Sequence, residues 1–207
     1  SVTVGELNNN KDGYKNFEEI ECDSIFVSGN WTPTVHLASQ SGNKLKYDAN
    51  SDTFLPDQSR QKETVIGSAN GSMTLQKSLK EGFEKGFTLS NEITKNGITT
   101  LIPISDEKQY GQHDKFWCMP LPNKKHYKRF VDFQNDVAVS DIQLAVQEGF
   151  RSIEHVKRYT TLGMATDQGK TSNLNGLQLV SELEKKIVPE VGHTTFRPPY
   201  TSVTIGT

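Results

Sequence analysis

Between Ser140 and Leu183 the chain spells out short helices with marked starts and stops, and no other stretch restricts the fold as much. Ser140, with Gln143 three residues later, has the spacing of a capping box, and Ile142, Ala145 and Val146 fall on one side of the helix it would open. Gly149 ends that helix. Ser152 caps the next one, with Ile153, Val156 and Tyr159 or Thr160 inward and Glu154, Lys157 and Arg158 outward. Two such helices joined at Gly149-Phe150-Arg151 predict an αα-hairpin. Ahead of it, Phe130 to Phe133 runs into a polar turn at Gln134-Asn135-Asp136. After it, Leu174, Leu177, Leu179, Val180 and Leu183 continue a third helix closed by Pro189, and Thr194 to Tyr200 reads as an extended strap.

The second helix ends near Thr160 and enters a Thr- and Gly-rich loop that finishes on Lys170. The carbonyl end of a helix disfavours an anion. Phosphate binding here must therefore come from Lys157, Arg158, the hydroxyls of Thr160 and Thr161, Lys170, and loop N–H groups around Gly163. The competing reading is that Lys157 and Arg158 only solvate the outer helix face. Gly163, Gly169 and Gly176 would let the loop turn or come close to a ligand. Thr166 to Asn173 has the outline of a Walker loop, but Met164 stands where its first glycine belongs and no strand precedes it, so ATP binding is not expected.

Residues 1–100 read differently. Val2 to Val4 and Phe17 to Cys22 are expected strands around the turn Asn8 to Gly13. Ser24 to Ser28 is an expected buried strand that runs into Gly29-Asn30-Trp31-Thr32-Pro33. Such a turn is either the ligand-contacting edge of an open α/β sheet or an ordinary strand exit. Thr64 to Ile66 is another expected strand. It enters Gly67 to Gly71 and a helix over Ser72 to Phe83 that Gly82 and Gly86 bring to a stop. The bare N–H groups at that helix start either face a phosphate or merely allow close packing on a sheet. No complete G-x-G-x-x-G occurs.

Charge and composition exclude several classes. With 23 basic and 25 acidic residues the net charge is −2, without the positive footprint of nucleic-acid binding. No apolar run approaches the roughly 20 residues of a membrane span, and no secretory leader pattern is present. Cys22 and Cys118 lie too far apart in sequence to indicate a disulfide framework, which fits a reducing cytoplasm. Residues 101–129 read as a proline-marked connector in which Phe116 to Met119 docks on a neighbour. His113, Asp114 and His126 there lack the spacing of a metal site. Strand-like pieces at both ends lead us to expect a piece of a longer polypeptide.

The runs Phe133 to Val137, Glu148 to Asn173 and Thr194 to Tyr200 together resemble the alpha subunit of heterotetrameric sarcosine oxidase. Cys22 to Pro33 resembles the late strand and turn of that subunit's nucleotide-binding region. The resemblance implies oxidative demethylation of sarcosine to glycine with oxygen and tetrahydrofolate, giving hydrogen peroxide and methylenetetrahydrofolate. It also implies NAD in the alpha subunit, FAD in the beta subunit, FMN at the interface of the two, and gamma and delta subunits as further partners. On this chain it implies NAD-groove positions at Gly29, Asn30 and Pro33. FMN-phosphate contacts are implied at Lys157, Arg158, Thr160, Thr161 and Lys170, with no catalytic or metal-ligating residue.

The expected fold class is α+β, an incomplete FAD/NAD-type α/β module followed by a small helical domain. Expected boundaries are 1–100 for the end of the dinucleotide-binding domain, 101–129 for the linker, and 130–190 for the helical domain. Residues 191–207 would be a strap leading to a folate domain like the glycine-cleavage T-protein. The helical domain also resembles 2Fe–2S ferredoxin-like modules. Where those carry cysteines, this chain has Phe133-Gln134-Asn135 and Ala165-Thr166-Asp167-Gln168, so no cluster is expected. An assembly module of a related amine or opine/amino-acid dehydrogenase complex is the second reading. A free-standing enzyme is the third, and the isolated chain is expected to be inactive.

Overall fold

The computed structural model describes residues 1–27, 29, 31–94, 104, 116–121 and 127–206. These form a mixed α+β structure of two compact units, one of residues 1–30 and 115–194, the other of 31–114 and 195–207. Among the described residues each sheet is a two-stranded antiparallel ladder.

In the first unit, β1 (Val2–Leu7) pairs with β2 (Tyr14–Ile20) across the expected polar turn, where Asn8 N–H donates to the Gly13 carbonyl at 3.0 Å. Ser24 to Val27 does not follow as a buried strand. Ile25, Phe26 and Val27 are 60%, 96% and 88% exposed. An apolar run becomes a buried strand only where neighbouring strands supply a ladder and a cover, and no described strand lies beside this one.

The helical body begins with β5 (Phe130–Asp132) and β6 (Val137–Ala138), a tight pair around the predicted turn. α3 (Val139–Gln147) starts one residue before the expected capping serine. Its cap is Ala138, whose N–H donates to the Asp141 carboxylate at 2.8 Å, so Asp141 does the work expected of Ser140 and Gln143. Gly149 follows the helix as expected, with φ +96°. α4 (Ile153–Thr160) is capped by Ser152, whose hydroxyl accepts from His155 N–H at 3.4 Å. α5 (Asn173–Glu184) ends at Lys185, and Pro189 opens α6 (Val188–Val191) rather than closing α5. A proline is welcome in a first helical turn because its missing N–H would have no partner there.

α3 packs on α4 and α5, and α5 on α6. Ile142, Ala145, Ile153, Val156, Leu162 and Val180 are fully buried between them. Each large member contributes on the order of 1.5–3 kcal/mol by leaving water. Of the two residues expected as inward alternatives, Thr160 is half-buried, while Tyr159 is 46% exposed and lies against Phe150, ring centroids 4.7 Å apart. Lys157, expected outward, is 9% exposed. On so short a helix the faces of α3 and α5 decide which side is covered, and helical spacing alone cannot say which flank they take.

The second unit holds elements without a clear sequence signal: α1 (His36–Gln40) and the hairpin of β3 (Leu45–Asp48) with β4 (Thr53–Pro56). The expected strand Thr64 to Ile66 is not formed. A single 3₁₀ turn over Gly67–Asn70 precedes α2 (Leu75–Thr94), whose start is marked by Lys77 N–H donating to the Thr74 hydroxyl at 3.3 Å. Gly82 and Gly86 do not stop α2. A glycine inside a helix weakens it by about 1 kcal/mol but ends it only where the chain turns left-handed, and neither has a positive φ. The His36 ring is buried against Phe196, with centroids 3.9 Å apart, and Tyr200, at 5.7 Å, so this part of the strap packs onto α1.

Candidate functional site

The loop between α4 and α5 is organised around one carboxylate that nothing in the sequence singled out. Asp132, at the end of β5, is 1% exposed. Its Oδ1 accepts the N–H groups of Gln134 at 2.9 Å and Asn135 at 3.2 Å, which closes the turn after β5. Its Oδ2 accepts Gly163 N–H at 2.7 Å, Asn135 Nδ2 at 3.3 Å and the Ser172 hydroxyl at 3.4 Å. Burial alone would raise this carboxyl, but the bonds from Gly163, Asn135 and Gln134 outweigh burial and hold it below the ordinary 3.8.

Side chains of the same turn grip the far side of the loop. Asn135 Nδ2 donates to the Met164 carbonyl at 3.2 Å, and Gln134 Oε1 accepts Thr166 Oγ1 and Asp167 N–H, each at 3.1 Å. Asp167 in turn accepts Gly169 N–H at 2.7 Å and the Thr171 hydroxyl at 3.1 Å. The segments Phe133 to Asn135 and Ala165 to Gln168 are thus fastened by amide and carboxylate groups. Among the described residues no cluster of three or more His, Cys, Asp or Glu side chains could hold a metal, and Cys22 and Cys118 are not joined in a disulfide.

Much of the donor set expected to meet a phosphate is committed inside the chain. The Thr160 hydroxyl donates to the Val156 carbonyl at 2.8 Å and accepts Leu162 N–H at 3.2 Å. The Thr161 hydroxyl donates to the Thr160 carbonyl at 2.5 Å. Lys157 lies in the helical packing. Arg158 and Lys170 are exposed, Arg158 bridging to Glu154 at 3.2 Å on its own helix. The amides of Gly163 and Gly169 serve Asp132 and Asp167, and a Cβ on Gly176 would meet Leu162 Cδ2 at 2.4 Å. All three glycines admit the chain's own packing.

Of the residues expected to meet NAD, Gly29 is exposed with open space where a Cβ would stand, Pro33 is buried, and Asn30 lies outside the described residues. Part of the glycine-rich turn before α2 is also committed within the chain. Gly67 N–H donates to Glu81 Oε2 at 2.9 Å and Asn70 Nδ2 to Glu81 Oε1 at 2.6 Å. Burial raises the Glu81 carboxyl, but bonds from Asn70, Gly67 and Ser72, with Lys85 nearby, hold it below the usual carboxylate range. Glu81 and Asp132 are the residues that sequence reasoning missed. For Glu81 the available signal was a carboxylate on the α2 face that carries Ser78 and points back at the glycine-rich turn.

The helical body and its small antiparallel pair form part of a mixed α+β chain, with a carboxylate-centred loop and no metal-ligand cluster among the described residues. The model of the sarcosine oxidase A3 domain matches residues 126–207. Over 91% of its length the chain is 37% identical to sarcosine oxidase subunit alpha of Rhizobium meliloti (strain 1021), covering 19% of that protein. Over 98% it is 32% identical to the same subunit of Corynebacterium sp. (strain P-1), covering 21%. The chain belongs to the sarcosine oxidase alpha-subunit family, an oxidoreductase family, and spans about a fifth of the length of these relatives. A solved L-proline dehydrogenase from P. horikoshii aligns at TM-score 0.48 and 19% identity, covering 84% of this chain and 37% of that one, too slight a likeness to argue from. No helix among the described residues is long and apolar enough to cross a membrane.

Proposed function

We propose that this chain is an interior part of a sarcosine oxidase alpha subunit, lending surface to NAD and FMN sites that partner subunits and further polypeptide complete. The observation that carries the reading is the identity to two sarcosine oxidase alpha subunits across more than nine tenths of the chain. The whole complex would demethylate sarcosine oxidatively with oxygen and tetrahydrofolate, in the cytoplasm, as an assembly of alpha, beta, gamma and delta subunits with FAD in beta. Residues 1–100 would close a dinucleotide-binding domain, 101–129 link it onward, 130–190 form the ferredoxin-like helical domain without its cluster, and 191–207 lead to the folate domain.

The donor set fits a phosphate at its rim, through the exposed cations Arg158 and Lys170, and not through the loop amides. Bound FMN supplies relay of electrons to oxygen. Arg158 and Lys170 hold its charged end, while Lys157, Thr160 and Thr161 shape the helix terminus behind them. In co-purified full-length subunits, Arg158→Gln and Lys170→Gln should each speed FMN loss about tenfold, the size of one charge-assisted contact. Unchanged retention, measured from flavin absorbance after gel filtration, would remove the assignment.

For NAD the contribution is partial. Gly29 and Pro33 would each add at most a few contacts, and no glycine-rich pyrophosphate turn is present in this sequence. Titration calorimetry on the chain alone should give a dissociation constant no better than about millimolar. A micromolar constant, about 4 kcal/mol tighter, would overturn this.

A further inference from the structure

We propose that Asn70–Gly71 is a latent modification site: an asparagine–glycine pair able to close a succinimide ring, which the Glu81 carboxylate holds shut.

The reactivity is written in two adjacent residues. A glycine after asparagine leaves the following backbone nitrogen without a Cβ to shield it from the side-chain amide. The new bond joins the Gly71 nitrogen to Cγ of Asn70, the bond from Cγ to Nδ2 breaks, and ammonia leaves with the proton that Gly71 gives up. Water then opens the ring at either carbonyl, leaving aspartate or isoaspartate, with no oxidation or reduction. Each event places a new negative charge beside Glu81, and the iso form adds a carbon to the backbone of the turn.

The fold explains both why the pair is present and why it is quiet. Gly71 ends the 3₁₀ turn Gly67–Asn70 with φ +86°, a left-handed position that residues with a Cβ resist. Asn70 Nδ2 donates to Glu81 Oε1 at 2.6 Å while Gly67 N–H donates to Oε2 at 2.9 Å, so one carboxylate on α2 spans both ends of the turn. The attacking nitrogen is engaged as well. Gly71 N–H donates to the Ser68 carbonyl at 3.1 Å, and Ser72 N–H to the Gly67 carbonyl at 3.0 Å. Ring closure requires the Asn70 side chain to leave Glu81 and fold back on its own backbone, with the Gly71 N–H released. It therefore runs from an opened turn, at a rate set by how rarely the turn opens. Asn175–Gly176 is held differently, inside α5, with Gly176 N–H on the Ser172 carbonyl at 2.9 Å.

The test uses co-purified full-length subunits held at mildly alkaline pH, then digested. Peptides carrying Asn70 and Asn175 are scored for the mass gain of deamidation and, by fragmentation, for isoaspartate. Wild type should convert Asn70 at least about tenfold more slowly than the same chain held unfolded in urea. Glu81→Ala removes both bonds to the turn and should speed conversion of Asn70 about tenfold, the effect of losing one bond to a charged group. Glu81→Gln keeps one acceptor and should do less, and Asn175 should convert at the wild-type rate in each folded variant. An unchanged Asn70 rate in Glu81→Ala would overturn the proposal. So would equal rises at Asn70 and Asn175, which general unfolding produces, or an Asn70 that stays intact even in urea. Should Glu81→Ala not fold, Glu81→Gln decides by the same comparison.

Discussion

Alanine at Gly169 is expected to destabilise the helical unit by about 2–5 kcal/mol, the sum of a left-handed backbone penalty and overpacking in a closed site. Gly169 has φ +72°, and a Cβ there would lie 2.0 Å from Asn173 Oδ1 and 2.2 Å from its Cγ. The obstacle cannot swing aside cheaply. Asn173 is 8% exposed and its Nδ2 donates to the Gln168 carbonyl at 3.1 Å. Gly149→Ala is the control, because φ is +96° but nothing lies within 4 Å, so only the backbone penalty of about 1–2 kcal/mol applies. Urea unfolding followed by circular dichroism would rank the two. A Gly169→Ala midpoint no lower than that of Gly149→Ala would show that the Asn173 contact does not limit the site. Gly169→Ala with Asn173→Ala should recover the overpacking part and not the backbone part.

The second large effect belongs to Asp132. Alanine there leaves the buried Gly163 N–H without its acceptor and the turn after β5 without its clasp, at a cost of about 2–4 kcal/mol. The same carboxylate makes stability depend on acid. Its folded-state pKa is lowered, so the unfolded chain takes up the proton first as pH falls. The contribution of Asp132 is complete above the unfolded value of about 3.8 and disappears as pH drops through the lower folded value. Wild type should therefore lose stability from about pH 5 downward more steeply than Asp132→Ala, while the two run parallel at neutral pH. Parallel curves in acid would mean that the hydrogen bonds do not bias the ionised form.

Features set by neighbours in sequence were legible. The Ser152 cap, the Gly149 stop, the end of α4 at Thr160 and the turn between β1 and β2 each follow from a few adjacent residues. Features that needed a partner far along the chain were not. Ser24 to Val27 and Thr64 to Ile66 have strand composition but no strand beside them in the described residues. α1 and the β3–β4 hairpin form with little local pattern. On α4, Arg158 lies outward as expected and Lys157 does not.

The sequence by itself determined the helical hairpin and the membership of its family, because caps, glycine stops and family-like runs are written in contiguous residues. Only the tertiary structure decided which donors remain available to a ligand. Gly163, Ser172, Gln134 and Asp167 look open in a linear reading and are closed by Asp132 and by one another. The physical reason is that a buried amide or carboxylate must be satisfied by whatever the fold brings near, and here that partner sits 31 to 40 residues away.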